Sequence, residues 1–489
     1  MNLRDEQKDA IGLTFVLEKI QTDSPFGDKL AKSLKFYRKE EKAELLIEFN
    51  NISKVLSYIK TEEDVLAEIR RTLMRFKDIT NALTRLEQSY LHEIELFEIK
   101  NFMLSLTRLN AAFLDTGLNL AGVEFIDMEA ALDILDPDKK RISPFYLSEQ
   151  YTKELWDVRN EKSRLEGLMR GQPDKPELEK LKIMRASIVA KEEEAETEVK
   201  KQLSEQLREF LPIFLKNVDA VGRLDFTIQK ALIAKVYNAT CPDIEGKIVS
   251  FVDMINPEVK TVLERSNRTF TPISIMLGAG TTLLTGANMG GKSVSIKTAM
   301  LNVCLCHMGF FVFAGKAGMP MFDGVYLVSE DMQSISDGLS SFGAEIVRLS
   351  GIAAEVDKKH LFIALDEFAR GTNPQEGVLI ARAIAKYLNA KDSVSIMTTH
   401  YDNIACGDFM QYQVAGLTNL DFEKLSRRIA TGVSNGVDLI AQQMDYRLIK
   451  VSGAGEAPRD AINICRLLGV ESNVMDAIEK EYNKAAVDR

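Results

Sequence analysis

The chain has 489 residues, 45% hydrophobic and 27% charged, with a formal net charge of −10 at pH 7. That composition fits about three globular domains with ample core and excludes a disordered or fibrous chain. No uninterrupted apolar stretch reaches bilayer length and residues 1–9 lack the apolar segment of a secretory signal, so a cytoplasmic protein without a membrane partner is expected. The acidic balance argues weakly against a broad basic surface for nucleic acid, though a local basic patch remains compatible with it.

Residues 1–145 read as a helical scaffold. Leu45, Leu46, Phe49, Ile52 and Leu56 recur at helical spacing, as do Leu91, Ile94, Phe97 and Leu104. Asp136-Pro137-Asp138 marks a turn. From 146 to 210 the texture changes to two narrow apolar stripes among charges. The first runs Leu147, Tyr151, Leu155, Val158, Leu165 and Met169. The second runs Leu178, Leu181, Ile188, Ala195, Val199, Leu203 and Leu207, after a turn containing Pro173 and Pro176. Stripes at three-and-four spacing joined by a Pro/Gly turn predict an antiparallel coiled-coil hairpin. Its acidic and basic residues nearly cancel, so a solvated structural arm is as good a reading as one that grips DNA. Residues 211–264 are expected to return to helix.

A nucleotide-binding domain is expected over 265–445, of α/β P-loop type. The run Thr281-Thr282-Leu283-Leu284 precedes Thr285-Gly286-Ala287-Asn288-Met289-Gly290-Gly291-Lys292-Ser293, and a helix is predicted from Val294 to Cys306. Strand, glycine-rich loop and helix is the context that a G-x-x-x-x-G-K-[ST] match requires. Its glycines let backbone N–H groups and a helix N-terminus face phosphate oxygens. Lys292 can reach the β- and γ-phosphates of ATP, and the Ser293 hydroxyl can hold Mg²⁺. Cys304-Leu305-Cys306 lies on this helix without a second cysteine pair, which predicts buried thiols rather than zinc.

Further on, Leu361-Phe362-Ile363-Ala364-Leu365 reads as a buried parallel strand closed by Asp366-Glu367. After a P-loop, Asp366 is expected to hold Mg²⁺ through water or Ser293, and Glu367 to polarise the attacking water. A third strand, Val394 to Thr399, ends at His400, a candidate sensor of the γ-phosphate.

Together these landmarks resemble the MutS family of mismatch-repair ATPases and their relatives. The family's T-G-P-N-x-G-G-K-[ST] loop is matched from Thr285 to Ser293, with Ala287 in place of proline. Leu365-Asp366-Glu367-Phe368-Ala369-Arg370-Gly371-Thr372 matches the D-E-x-x-R-G-T segment, and Thr399-His400-Tyr401 the T-H-Y segment. Ser340-Ser341-Phe342-Gly343-Ala344-Glu345 is similar to S-[ST]-F-x-x-E. The run from Ser293 to Thr298 is closer to the MutS2 branch than to mismatch-repair MutS.

The resemblance implies nucleotide-binding roles for Gly286 through Val294 and an approach of Ser340 and Ser341 to the nucleotide of an opposite subunit. The composite site would then need a homodimer, or a heterodimer with a related chain. It also implies core and lever helices before 146, a reduced clamp in the hairpin, and a helical dimerisation tail over 446–489. The chain contains no Phe-x-Glu wedge and has little sequence after the ATPase region, so a short form lacking the mismatch-recognition and nuclease-like domains is expected. Two loads for the ATPase are carried forward. One is branched, mismatched or distorted DNA enclosed by a clamp. The other is a protein client, as in a MutS-like subunit that reactivates a cobalamin-dependent lysine aminomutase.

Overall fold

The computed structural model describes residues 3–60, 63–171, 174–286, 290–329, 341–399, 409–416, 445–451, 462, 465 and 470–487. Two compact units emerge. One comprises residues 1–20, 35–50 and 232–489, the other 21–34 and 51–231. Among the described residues no helix is long and apolar enough to cross a membrane.

Among the described residues the first unit has nine strands: β1 (Val249–Met254), β2 (Ile273–Leu277), β3 (Gly280–Thr285), β4 (Lys316–Gly318), β5 (Gly324–Ser329), β6 (Leu361–Asp366), β7 (Val394–Thr398), β8 (Met410–Gly416) and β9 (Asp445–Val451). Six of them form one sheet in the order β5-β6-β7-β3-β8-β9. The first five positions pair in parallel, and β9 closes the edge antiparallel to β8. Every residue of β3, β6 and β7 is buried. A parallel strand covered on both faces has no solvated side on which to place polar residues, hence the unbroken apolar run of β6. The polar residues in β3 and β7 are hydroxyls paired internally, as in Thr281 Oγ1 to Ser395 Oγ at 2.8 Å. Helix Lys292–His307 follows β3, and helix Pro374–Asn389 follows β6. A small antiparallel sheet, β2-β1-β4, completes this unit.

Three sequence expectations need correction. Residues 211–264 are not helical throughout, because β1 lies inside them and pairs with β2. The tail expected to be helical from 446 begins as strand β9. In both cases the deciding contact is a hydrogen-bonded partner distant in sequence, which helical spacing cannot register. Residues 1–145 also do not form one body, because 1–20 and 35–50 group with the nucleotide-binding unit. The Gln7 side-chain amide donates to the Leu327 carbonyl at 2.8 Å, and Phe49 meets Phe311 edge-on at 6.0 Å. Two residues of the expected helical stripes, Leu46 and Ile94, are exposed.

The second unit is helical. Its centre is an aromatic cluster in which Phe102 packs against Phe26, Phe76 and Phe214, with ring centroids 5.4–6.1 Å apart. Helices Lys153–Arg170 and Lys175–Arg208 pack on one another through Leu165, Leu181 and Ile188. Arg159 pairs with Glu192 and Glu196, and Glu166 with Arg185. Low numbers on one helix thus meet high numbers on the other, so the two run antiparallel. Of the second stripe, Leu181, Ile188, Ala195, Val199, Leu203 and Leu207 are buried, while Leu178 near the turn is only half-buried.

Candidate nucleotide-binding site

Three strand ends assemble the site. In the sheet β7 separates β3 from β6, so the loop after β3 and the carboxylates at the end of β6 emerge on the same, C-terminal, edge. That edge is where open α/β sheets bind ligands. Gly286 leaves β3 with φ 137°, and Gly291 enters the helix with φ 85°. Gly291 is also held by proximity, since a Cβ there would lie 3.0 Å from the Tyr446 ring. A side chain at either position would be strained, which is the physical reason for glycine.

Lys292 is the first residue of the helix and is almost fully buried. Its Nζ donates to the Gly286 carbonyl at 2.8 Å, so the lysine bridges the two ends of its own loop. Burial pushes its pKa below the usual lysine range, while Glu367 and Asp366 pull it back. Ser293 Oγ donates to Asp366 Oδ1 at 3.1 Å, and Thr398 Oγ1 donates to the same oxygen at 2.7 Å. Burial raises the Asp366 pKa against these hydrogen bonds. A hydroxyl and a carboxylate are the hard oxygen donors that Mg²⁺ selects. Their 3.1 Å separation matches neighbouring positions on an octahedral ion with bonds of about 2.1 Å. Ser293 and Asp366 therefore fit the ion.

Glu367 stands directly after β6 with φ 50°, and Ala369 follows with φ 62°. Left-handed backbone at non-glycine residues costs on the order of 1–3 kcal/mol each and persists only where the surroundings hold it. Here the Glu367 N–H donates to Thr398 Oγ1 at 2.8 Å, and the Ala369 N–H to Glu345 Oε2 at 2.9 Å. The turn aims Glu367 into a cleft of about 330 Å³ shared with Gly290, Gly291, Lys292, Ser293 and Val294. Apolar and aromatic side chains line the same cleft: Val259, Leu263, Phe270, Ile273 and Tyr446. A lysine, a hydroxyl and a carboxylate beside apolar and aromatic side chains are the combination that suits a nucleoside triphosphate.

Lys292, Ser293, Asp366 and Glu367 are thus brought together as their spacing suggested. Ala287, Asn288, Met289, Ser340 and His400 lie outside the described residues; Ser341 begins helix Ser341–Glu355, and its side chain also lies outside them. Three contributors escaped sequence reading: Phe270, Tyr446 and Thr398. Phe270 and Tyr446 come from segments far from the motifs. Thr398 reads from the sequence as a strand residue, and its place one step before Thr399-His400 is the signal that marks it.

The parallel sheet, the loop-to-helix turn and the Ser293–Asp366 pair define a P-loop ATPase domain. Residues 282–463 match the family model for MutS domain V. Endonuclease MutS2 of Acetivibrio thermocellus is 32% identical over 222 residues, 43% of this chain and 26% of that protein. The Caldicellulosiruptor saccharolyticus endonuclease MutS2 is 35% identical over 189 residues, covering 38% and 23% respectively. That of Lactobacillus acidophilus is 29% identical over 297 residues, covering 59% and 34%. The chain thus spans about a third or less of the relatives it matches. Its nucleotide-binding part is a MutS-family ATPase domain.

Proposed function

We propose that the chain hydrolyses ATP with Mg²⁺ at this site and couples the cycle to opening and closing of a clamp on branched, mismatched or otherwise distorted DNA. The observation that carries the catalytic reading is the Ser293–Asp366 hydrogen bond beside Glu367 at the cleft wall. Lys292 neutralises phosphate charge, and Ser293 and Asp366 hold the ion, which supplies electrostatic stabilisation to the transferring phosphoryl group. Glu367 orients and polarises the attacking water. The aromatic wall of Phe270 and Tyr446 seats the base. In this reading His400 senses the γ-phosphate, and Ser340 and Ser341 complete the site of a partner chain, so the working form is a dimer. The hairpin 153–208 serves as the reduced clamp, a coiled-coil arm, and the C-terminal helices as the dimer contact. DNA is supported by the similarity to proteins named endonuclease MutS2.

Two substitutions separate binding from chemistry. Glu367→Gln keeps shape and loses charge, so it should bind ATP with near-native affinity while hydrolysis drops by roughly 10²–10⁴-fold. Lys292→Ala should instead weaken nucleotide binding itself. Normal turnover by Glu367→Gln, followed as phosphate release, would remove Glu367 from the mechanism.

A further inference from the structure

We infer that Thr398 is a positioning residue for this reaction, whose single hydroxyl sets both carboxylates of the site. The inference rests on the reading of the cleft as an Mg²⁺-dependent ATP site and adds to it a residue outside the motifs. Thr398 is the last residue of β7, and β7 lies between the strands that deliver the loop and the carboxylates. It is 1% exposed, so its hydroxyl has no water to fall back on. Oγ1 accepts from the Glu367 N–H at 2.8 Å and donates to Asp366 Oδ1 at 2.7 Å. One hydroxyl provides both functions, an acceptor lone pair and a donor proton.

Each bond has its own consequence. Donation to Asp366 turns the oxygen that also receives Ser293 toward the loop, and so sets the pair that fits Mg²⁺. Acceptance from Glu367 holds the left-handed turn at φ 50° that points the glutamate into the cleft. A β-branched residue suits this post, because its χ1 is stiff and its methyl favours a strand.

The test uses the full chain with Thr398→Val, which keeps the shape and removes the hydroxyl, and Thr398→Ser, which keeps the hydroxyl and removes a methyl. Two quantities are read: steady-state ATP hydrolysis, and equilibrium binding of a fluorescent ATP analogue across a Mg²⁺ titration. Thr398→Val should lower kcat and raise the Mg²⁺ midpoint of binding by roughly 10–100-fold each, with metal-free nucleotide affinity within about two-fold of wild type. Thr398→Ser should restore both quantities. A wild-type kcat and Mg²⁺ midpoint in Thr398→Val would overturn the inference. So would equal impairment of Thr398→Ser, because the loss would then follow packing rather than the hydroxyl. Should Thr398→Val fail to melt cooperatively, Thr398→Ala takes its place under the same criteria. A wild-type chain that neither binds nor hydrolyses ATP removes the parent reading, and this inference with it. That result is distinct from a wild type that works and a Thr398 variant that works equally well.

Discussion

His307 ends the helix that Lys292 begins. Its Nδ1 donates to the Tyr37 carbonyl at 2.8 Å, and its Nε2 accepts the Phe322 N–H at 3.2 Å. Phe36 stacks on the ring at 4.6 Å. The neutral imidazole is therefore fully used, and protonation would set an N–H against an N–H inside the core. Burial pushes its pKa down to about 4 from the ordinary 6.5. The folded value lies below the unfolded one, so the unfolded chain takes up the proton first. The contribution of His307 is complete above about pH 6.5 and declines toward pH 4, with about 2 kcal/mol gone by pH 5. Thermal melting of wild type against His307→Gln from pH 7.5 to 5 checks this. The variant should be less stable at pH 7.5 but lose less on acidification. Equal losses would mean that other groups control the acid limb. None of this is legible from the residue alone, because a histidine after an apolar helix carries no mark of its partners.

Elements were legible in proportion to how local their determinants are. The hairpin stripe could be read because heptad-like spacing is a property of one helix. The exception inside it could not. Glu192 sits in the buried row between Ile188 and Ala195 and is 9% exposed. It pairs with Arg159 at 3.1 Å and also with Lys162 on the facing helix. A charged residue among apolar ones sets register, since a slipped hairpin would bury it unpaired. Glu192→Ala should destabilise the hairpin by about 1–3 kcal/mol and speed hydrogen exchange across 153–208. The exposed neighbour substitution Glu193→Ala should leave exchange unchanged, and identical behaviour of the two variants would count against a special role for Glu192. Strands β1 and β9 were missed for the complementary reason. The β9 sequence Asp445-Tyr446-Arg447-Leu448-Ile449-Lys450-Val451 alternates only loosely, as an edge strand can, and is fixed by β8.

At the scale of the whole molecule the proposed load is distorted DNA. Phosphate contacts by the hairpin or its surroundings would make DNA affinity fall steeply with salt. ATP turnover should therefore rise with branched DNA at low salt, and both stimulation and affinity should fall on going from about 50 to 200 mM salt, by up to 10³-fold for six phosphate contacts. Turnover and binding indifferent to DNA at low salt would remove DNA as the load and direct attention to a protein client. Net charge of −10 bears on this weakly, because only the charge at the contacting surface matters within a Debye length of about 8–10 Å.

By itself the sequence determined the local pieces of the candidate site, because they depend on residue types at short fixed spacings: glycines where φ is positive, Lys292 and Ser293 at a helix start, Asp366 and Glu367 at a strand end. The tertiary structure decided which distant side chains line the cleft and which hydroxyl lies beneath the carboxylates. Tyr446, Phe270 and Thr398 come from separate segments, and a parallel sheet brings together strand ends that are far apart along the chain. Their roles depend on distances in space, which a linear pattern does not encode.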